Sequence, residues 1–305
     1  MTLQPSNGPG TQQTAAEPRL DVLMSPAVFP EPQLLEIAEQ NPDWNILLDS
    51  GAFTNFTTGK DVITLDWFGG FLGEHGHRFF RYFNLDVIGD HTASMARLLA
   101  LQKLGLDPIP VFQRGGTIED LNGLLDNHEI IAVGGIAGVL NRTEDRKYLH
   151  EVMACVGDRR KQVHLLGVSQ LPVVSMYRPW SVDSASVGRG RMFGSLDLWD
   201  GQRWTRINRR IRGGKDPYRD IRPNQRTARV LASYDLTFAD LGTEDGWKQG
   251  GKVLFAGMRG WVRYARFVRR SLGVRLFLVD NPRQGHHEEL AAAWAMEKAR
   301  MEDAA

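Results

Sequence analysis

At 305 residues, with 42% hydrophobic and 24% charged side chains, the chain has the composition of a soluble globular protein with a large core, and one large domain fits better than two. The formal net charge of +1 selects no class of partner. The single Cys155 excludes an intrachain disulfide and any zinc site with several Cys ligands, and no apolar run reaches the roughly 18 residues that span a bilayer.

The first nineteen residues, rich in Gln, Thr, Pro and Gly, lack the basic start and apolar centre of a signal peptide and are expected to form a disordered leader. With the lone thiol, this fits a reducing cytoplasm. From Leu20 to Pro26 the pattern predicts a first strand, and from Pro32 to Gln40 a short helix. Asn45-Ile46-Leu47-Leu48-Asp49-Ser50-Gly51 then reads as a strand buried on both faces, whose C-terminal end delivers a carboxylate to a tight turn. Val62, Leu65, Phe68 and Leu72 suit an amphipathic helix that Gly69, Gly70 and Gly73 weaken, and Phe79 to Asp90 supplies a third strand. Thr92 is a candidate cap for the next helix, with Met95, Leu98 and Leu99 facing inward and Gly105 as its stop.

Ile109 to Gln113 is the fourth strand. Thr117 caps a helix with Asp120 in its first turn and Ile118, Leu121, Leu124 and Leu125 on its buried side. Glu129 to Gly138, Gln162 to Ser169 and a strand ending at Asp183 follow, with a helix over Thr143 to Val156 between the first two and Pro172 to Tyr177 bridging to the last. The rhythm then breaks. Val187 to Arg226 shows no helical period and predicts an insertion of short strands and loop. Helical patterning resumes over Thr227 to Leu241 and Phe255 to Leu272, an eighth strand spans Val274 to Asp280, and Glu288 to Arg300 is a closing helix. Eight strands alternating with helices predict an α/β (β/α)8 TIM barrel over residues 20–305, with a basic insertion at 187–226 after the seventh strand. Between Val187 and Val230 stand twelve Lys or Arg against four Asp, a local +8 against −7 elsewhere, which suggests a polyanion partner.

In a parallel barrel the C-terminal strand ends converge on one rim, so their polar residues share one pocket. Asp49 and Asp183 lie 134 positions apart, each at such an end and each followed by Ser. Two carboxylates can divide labour, one as nucleophile and one as proton carrier; Asp-Ser is equally a good turn or helix-cap pair.

Four stretches, taken in order, carry a resemblance. Asp49-Ser50-Gly51-Ala52-Phe53, Gly134-Gly135-Ile136-Ala137-Gly138, Leu165-Leu166-Gly167-Val168 and Val182-Asp183-Ser184 are similar to the successive landmarks of the tRNA-guanine transglycosylase superfamily. The resemblance covers roughly Leu20 to Ser186 plus the last strand. That family exchanges guanine in a polynucleotide for a 7-deazaguanine. The resemblance implies that Asp183 attacks the sugar C1′ to give a covalent glycosyl ester and that Asp49 exchanges a proton with the base's ring nitrogen. It implies also that Asp86, with Asp90 as a substitute, reads the guanine-like edge. Gln113 would contact the base carbonyl, Gly134, Gly135 and Ile136 would line that edge with backbone, and Phe53 and Leu166 would sandwich the ring. Ordinary roles for the same residues are a solvated loop for Gln113, barrel core for Phe53 and Leu166, and a strand-end cap for Asp86.

Departures from the family narrow the reading. The tRNA enzymes carry a zinc site of three Cys and a His, which one Cys cannot build, and His286-His287 are adjacent rather than spaced for a metal. The resemblance therefore points to the shorter, zinc-less relatives of phages and bacterial modification clusters that insert 7-deazaguanines into DNA, with no cofactor or metal. Arg189, Arg191, Arg209, Arg210, Arg212, Lys215 and Arg219 are candidates to grip DNA phosphates, and Trp199, Trp204 or Tyr218 to stack on an unpaired base. Arg259, Arg263, Arg266, Arg269 and Arg270 form a second basic helix face. Competing readings are a tRNA-directed enzyme, a catalytically silent nucleic-acid-binding barrel, and a hydrolase of small glycosides. The inserted base, the DNA context and dimerisation stay open.

Overall fold

A computed structural model describes residues 18–136, 143–188, 190, 193–208, 224–248, 250–280 and 286–303. Eight strands make one parallel sheet: β1 (Leu20–Met24), β2 (Trp44–Leu48), β3 (Arg81–Tyr82), β4 (Val111–Phe112), β5 (Ile131–Val133), β6 (Val163–Leu165), β7 (Ser181–Ser184) and, after a hairpin, β10 (Arg275–Val279). The order is β3-β2-β1-β10-β7-β6-β5-β4, so the strands follow chain order around a curled sheet flanked by helices. Its two edges touch at a parallel bridge between Phe83 and Ile109. There the Ile109 N–H donates to the Tyr82 carbonyl at 2.8 Å and the Asn84 N–H to the Ile109 carbonyl at 3.1 Å. The buried Asn84 side chain extends the contact, its Oδ1 accepting from the Val111 N–H at 2.8 Å.

Period-two patterning separates two cores. Leu20, Val22 and Met24 of β1, with Trp44, Ile46 and Leu48 of β2, pack outward against the helices. Leu23, Leu47, Phe83, Ile109, Val111, Ala132 and Phe277 form the inner cluster within the curl. The helices that cover the outside are α1 (Glu31–Gln40), α2 (Ala52–Thr58), α3 (Leu65–His75), α4 (His91–Lys103), α5 (Ile118–Asn127), α6 (Thr143–Val156) and α7 (Leu171–Tyr177). Later come α8 (Gln225–Ala232), α9 (Phe238–Leu241), α10 (Lys252–Leu272) and α11 (His286–Glu302). No helix among the described residues is long and apolar enough to cross a membrane.

Several expectations are corrected. The third strand holds two residues rather than the run to Asp90, because Asn84's side chain takes over pairing from the backbone. Asp90, not Thr92, caps α4, accepting from the Ala93 N–H at 2.9 Å. Leu99 and Ile118 are exposed, whereas Leu101 of α4 is buried. The Thr117 and Asp120 cap forms as expected, with side chains and backbone bonded reciprocally. Residues 172–177 lie within a short helix, α7.

After β7, an antiparallel hairpin of β8 (Ser195–Trp199) and β9 (Trp204–Asn208) packs on α10. Gly260 allows this, since a Cβ there would stand 2.5 Å from the Asp197 carbonyl oxygen. Leu196, Leu198 and Ile207 join Val230, Leu231, Tyr234, Trp247, Val253 and Leu254 in a separate core. Trp199 is buried against Tyr264 and Phe267, and Trp204 packs on Trp261 at 4.5 Å, so these indoles serve packing rather than an open stacking face. Arg189, Arg191, Arg209, Arg210, Arg212, Lys215, Tyr218 and Arg219 lie outside the described residues, as do residues 1–17 of the expected leader and Ala137 and Gly138.

Candidate active site

Asp49 follows β2, Asp86 follows the short β3, Gln113 follows β4, Gly134 follows β5, Leu166 follows β6 and Asp183 lies within β7. Because all these strands are parallel, the residues stand at one end of the sheet. Alternation turns Asp49 to the same side as Leu47, Gln113 to that of Val111, and Leu166 to that of His164. Residues read from distant parts of the sequence are thereby gathered on the inner face of one rim.

Asp86 and Gln113, both buried, form a hydrogen-bonded pair. Gln113 Nε2 donates to Asp86 Oδ2 at 2.5 Å, Ser50 Oγ donates to Asp86 Oδ1 at 3.3 Å, and Gln113 Oε1 accepts from the Gly89 N–H at 3.4 Å. Burial raises the Asp86 pKa, against the opposing pull of Gln113, backbone, Ser50 and the Arg97 charge. Gly134 leaves room for this pair: a Cβ there would meet Gln113 Nε2 at 2.5 Å and displace that side chain. An open cavity of about 210 Å³ reaches Asp86 and is lined by Ala52, Asn55, Phe56, Lys60 and Arg97 among others.

Asp183 is buried and held from one side. Its Oδ1 receives the Gly167 N–H at 2.7 Å and lies 3.2 Å from His164 Nε2. No described donor is bonded to Oδ2. His164 is fully buried in the middle of the curl, with Phe83 at 5.0 Å and Phe277 at 6.1 Å between ring centroids. Its Nδ1 lies 2.6 Å from Ser181 Oγ. A carboxylate can only accept, so in the neutral imidazole Nε2 carries the proton and Nδ1 accepts from the Ser181 hydroxyl. His164, backed by Ser181, and the Gly167 N–H thus both hold one oxygen of Asp183, and no described donor holds the other.

Asp49 keeps part of its surface exposed, yet its pKa is pushed up to about 7. Burial is the largest cause, followed by the negative charges of Asp86 and Asp183; the backbone N–H groups of Gly51 and Ser50 oppose it in part. The coupling shows that the three carboxylates share one electrostatic neighbourhood. A carboxyl group tuned near neutrality carries a proton in either direction at physiological pH.

The remaining candidates are scattered. Phe53 is exposed on α2, 63% accessible, and Leu166 is half-buried against the inner cluster. Ile136 turns its side chain into the outer core. Gly135 has φ +70° and lies beside Arg114, whose guanidinium pairs with the buried Asp145 and sits 4.6 Å over the Tyr148 ring. Asp90 is occupied as a helix cap at the exposed surface. Among the described residues no group of three His, Cys, Asp or Glu is arranged to hold a metal ion.

Sequence reasoning missed His164 and Ser181. Their signal is present: His164 is two positions before Leu166, Ser181 two before Asp183, and period two puts each pair on one face. The β6–β7 register then sets His164 opposite Ser181. Searches of protein-family models, curated proteins and solved structures find no match to the chain.

Proposed function

We propose that the curled sheet is a (β/α)8 barrel, with the hairpin region inserted after its seventh strand, and that its C-terminal mouth exchanges guanine in DNA for a 7-deazaguanine base. The observation that carries this reading is the electrostatic meeting of Asp49, Asp86 and Asp183, with Asp49 near neutrality and Asp183 held through one oxygen. The motif series similar to the transglycosylases supports the same roles.

In the proposed reaction Asp183 Oδ2 attacks C1′ of the target nucleotide. The bond from C1′ to the guanine ring nitrogen breaks, its electron pair stays with the base, and Asp49 in its acid form supplies the proton. A covalent ester of Asp183 and the sugar results. The incoming 7-deazaguanine then gives its ring N–H proton to the Asp49 carboxylate, and its nitrogen attacks C1′ to release Asp183. Asp86 accepts hydrogen bonds from the amino and ring N–H groups of the base, and Gln113 donates to its carbonyl. The mutual Gln113–Asp86 bond of 2.5 Å must open for this to happen. Phe53 and Leu166 flank the ring in this reading, and Gly134, Gly135 and Ile136 offer backbone to its edge. A guanine inside a duplex must be flipped out, at about a few kcal/mol, which phosphate contacts from the Arg-rich segment around Arg189, Arg191, Arg209, Arg210, Arg212 and Lys215 would offset.

The test is trapping of the covalent protein–nucleic acid species in parallel reactions with DNA and tRNA, together with incorporation of labelled guanine and labelled 7-deazaguanine. A denaturation-resistant adduct and label in DNA are expected. Label in tRNA alone would move the substrate to RNA, salt-sensitive DNA binding without any adduct would leave a silent binding protein, and turnover of free nucleosides would indicate a small-glycoside hydrolase.

A further inference from the structure

The arginines of α10 divide into two groups that their partners separate. Arg259 is buried between Glu297 at 2.8 Å and Asp235 at 3.0 Å, which removes it from the exposed basic face expected of this helix. Arg263 pairs with Glu297 at 2.9 Å and Arg269 with Asp21 at 3.1 Å. Arg266 and Arg270 have no carboxylate at ion-pair distance among the described residues. Arg266 is half-buried, and its one side-chain hydrogen bond among the described residues is a long contact of 3.4 Å to the Glu297 carbonyl. Its pKa is lowered, first by burial and further by the Arg270 and Arg263 charges, with Glu297 opposing. Among the described residues this partly desolvated cation has no carboxylate bonded to it, and the nearby Glu297 is taken up by Arg259 and Arg263.

Two open cavities meet at Arg266 and Arg270. One, of about 330 Å³, runs to the N-terminal ends of β1, β2 and β10, where Arg275 lies. The other, of about 810 Å³, runs past Phe267 to the turn of the β8–β9 hairpin and to Arg229, an exposed side chain without an ion-pair partner among the described residues. Arg263 to Arg270 is seven residues of helix, about 10 Å of rise. Guanidinium groups set along an open groove fit a chain of repeated negative charges, whereas a single small anion is held by donors that converge in an enclosed pocket.

We propose that this cleft binds the phosphodiester backbone of a nucleic acid, at the strand ends opposite Asp49 and Asp183. The site is separate from the exchange chemistry and stands whether or not Asp183 reacts. It is tested by fluorescence anisotropy of labelled single-stranded and duplex oligonucleotides across a salt series. The exposed double variant Arg229→Gln/Arg270→Gln should lower the slope of log affinity against log salt by about two and weaken binding about tenfold or more at low salt, with its melting temperature unchanged. Arg266→Gln should lower the slope by about one. Unchanged slope and affinity in both variants would overturn the proposal. So would a cleft whose melting temperature rises with inorganic phosphate or pyrophosphate while the variants bind oligonucleotides as the parent does, since that outcome identifies a small-anion site. Base exchange is scored on labelled base, so failure of that reading and failure of this one are read separately.

Discussion

Asp21 at the N-terminal end of the sheet and Asp49 at the C-terminal end are both aspartates whose pKa burial raises, and their neighbours treat them oppositely. Around Asp21 stand Arg275, the Asn45 amide and Arg269, all of which favour its charge and work against burial. Arg275 is itself held over the rings of Phe80 and Trp180, at 4.6 and 5.7 Å. Around Asp49 the neighbours are Asp86 and Asp183, which add to the cost of its ionisation. At one end the carboxylate is offset by cations, and at the other Asp49 faces the charges of two further carboxylates. Such an arrangement lowers stability, and strongly perturbed carboxyl groups cluster at functional sites.

Paired substitutions at the two ends break the comparison most sharply. Asp183→Ala should abolish adduct formation and lower exchange by about 10³-fold or more, with the fold kept. Asp21→Ala should do the reverse. It strands Arg275 and Arg269 without their counter-ion, so unfolding by denaturant should show a loss of about 2–3 kcal/mol, at the lower end for buried pairs because Arg269 can rehydrate. Exchange per folded molecule should not change. Retained exchange in the Asp183 variant removes the proposed nucleophile, and loss of exchange in folded Asp21→Ala removes the division between ends.

The next effect in size concerns His164, which links the inner core to Asp183 at the rim. His164→Phe keeps an aromatic ring between Phe83 and Phe277 but takes one donor from Asp183 Oδ1 and leaves the Ser181 hydroxyl without its acceptor. Exchange should fall about 10²-fold, mainly in kcat, and His164→Gln, whose amide restores a donor, should recover part of it. Equal losses in both variants, or a change confined to KM, would make His164 a packing residue only.

Much of this was legible because strand ends write themselves plainly. Apolar runs closed by Asp49, Gln113, Gly134 and Asp183 mark parallel strands reaching one rim, and Thr117 with Asp120 spells a helix start. What escaped depends on contacts between distant residues. Asn84 replaces a backbone rung of the sheet, so the expected long third strand shrinks to two residues. Leu99 and Ile118 sit at the boundary of helical stripes, where a turn of a few tens of degrees decides between core and solvent. Trp199, in a basic segment, resembles an open stacking ring until α10 folds over it. The Gln113–Asp86 bond joins residues 27 positions apart, and the partners that set the Asp49 pKa come from other strands of the sheet.

The smallest expected effect is also the most specific to the carboxylate cluster. In the folded chain Asp49 titrates at about 7, above the ordinary 3.8, so the folded state holds a proton that the unfolded state releases over that interval. Stability contributed by this group is therefore fully present below about pH 4 and is lost as pH rises to about 7. The amide that Asp49→Asn introduces cannot ionise and mimics the protonated carboxyl. This variant should then match the parent's stability near pH 4 and exceed it above pH 7, by on the order of 2 kcal/mol after allowing for the partial exposure of the side chain. Denaturant titrations at pH 4, 6 and 8 measure the difference directly. A stability gap that stays constant across this range would mean that Asp49 ionises as it does in solvent, and the proton carrier of the proposed exchange would have to be sought elsewhere.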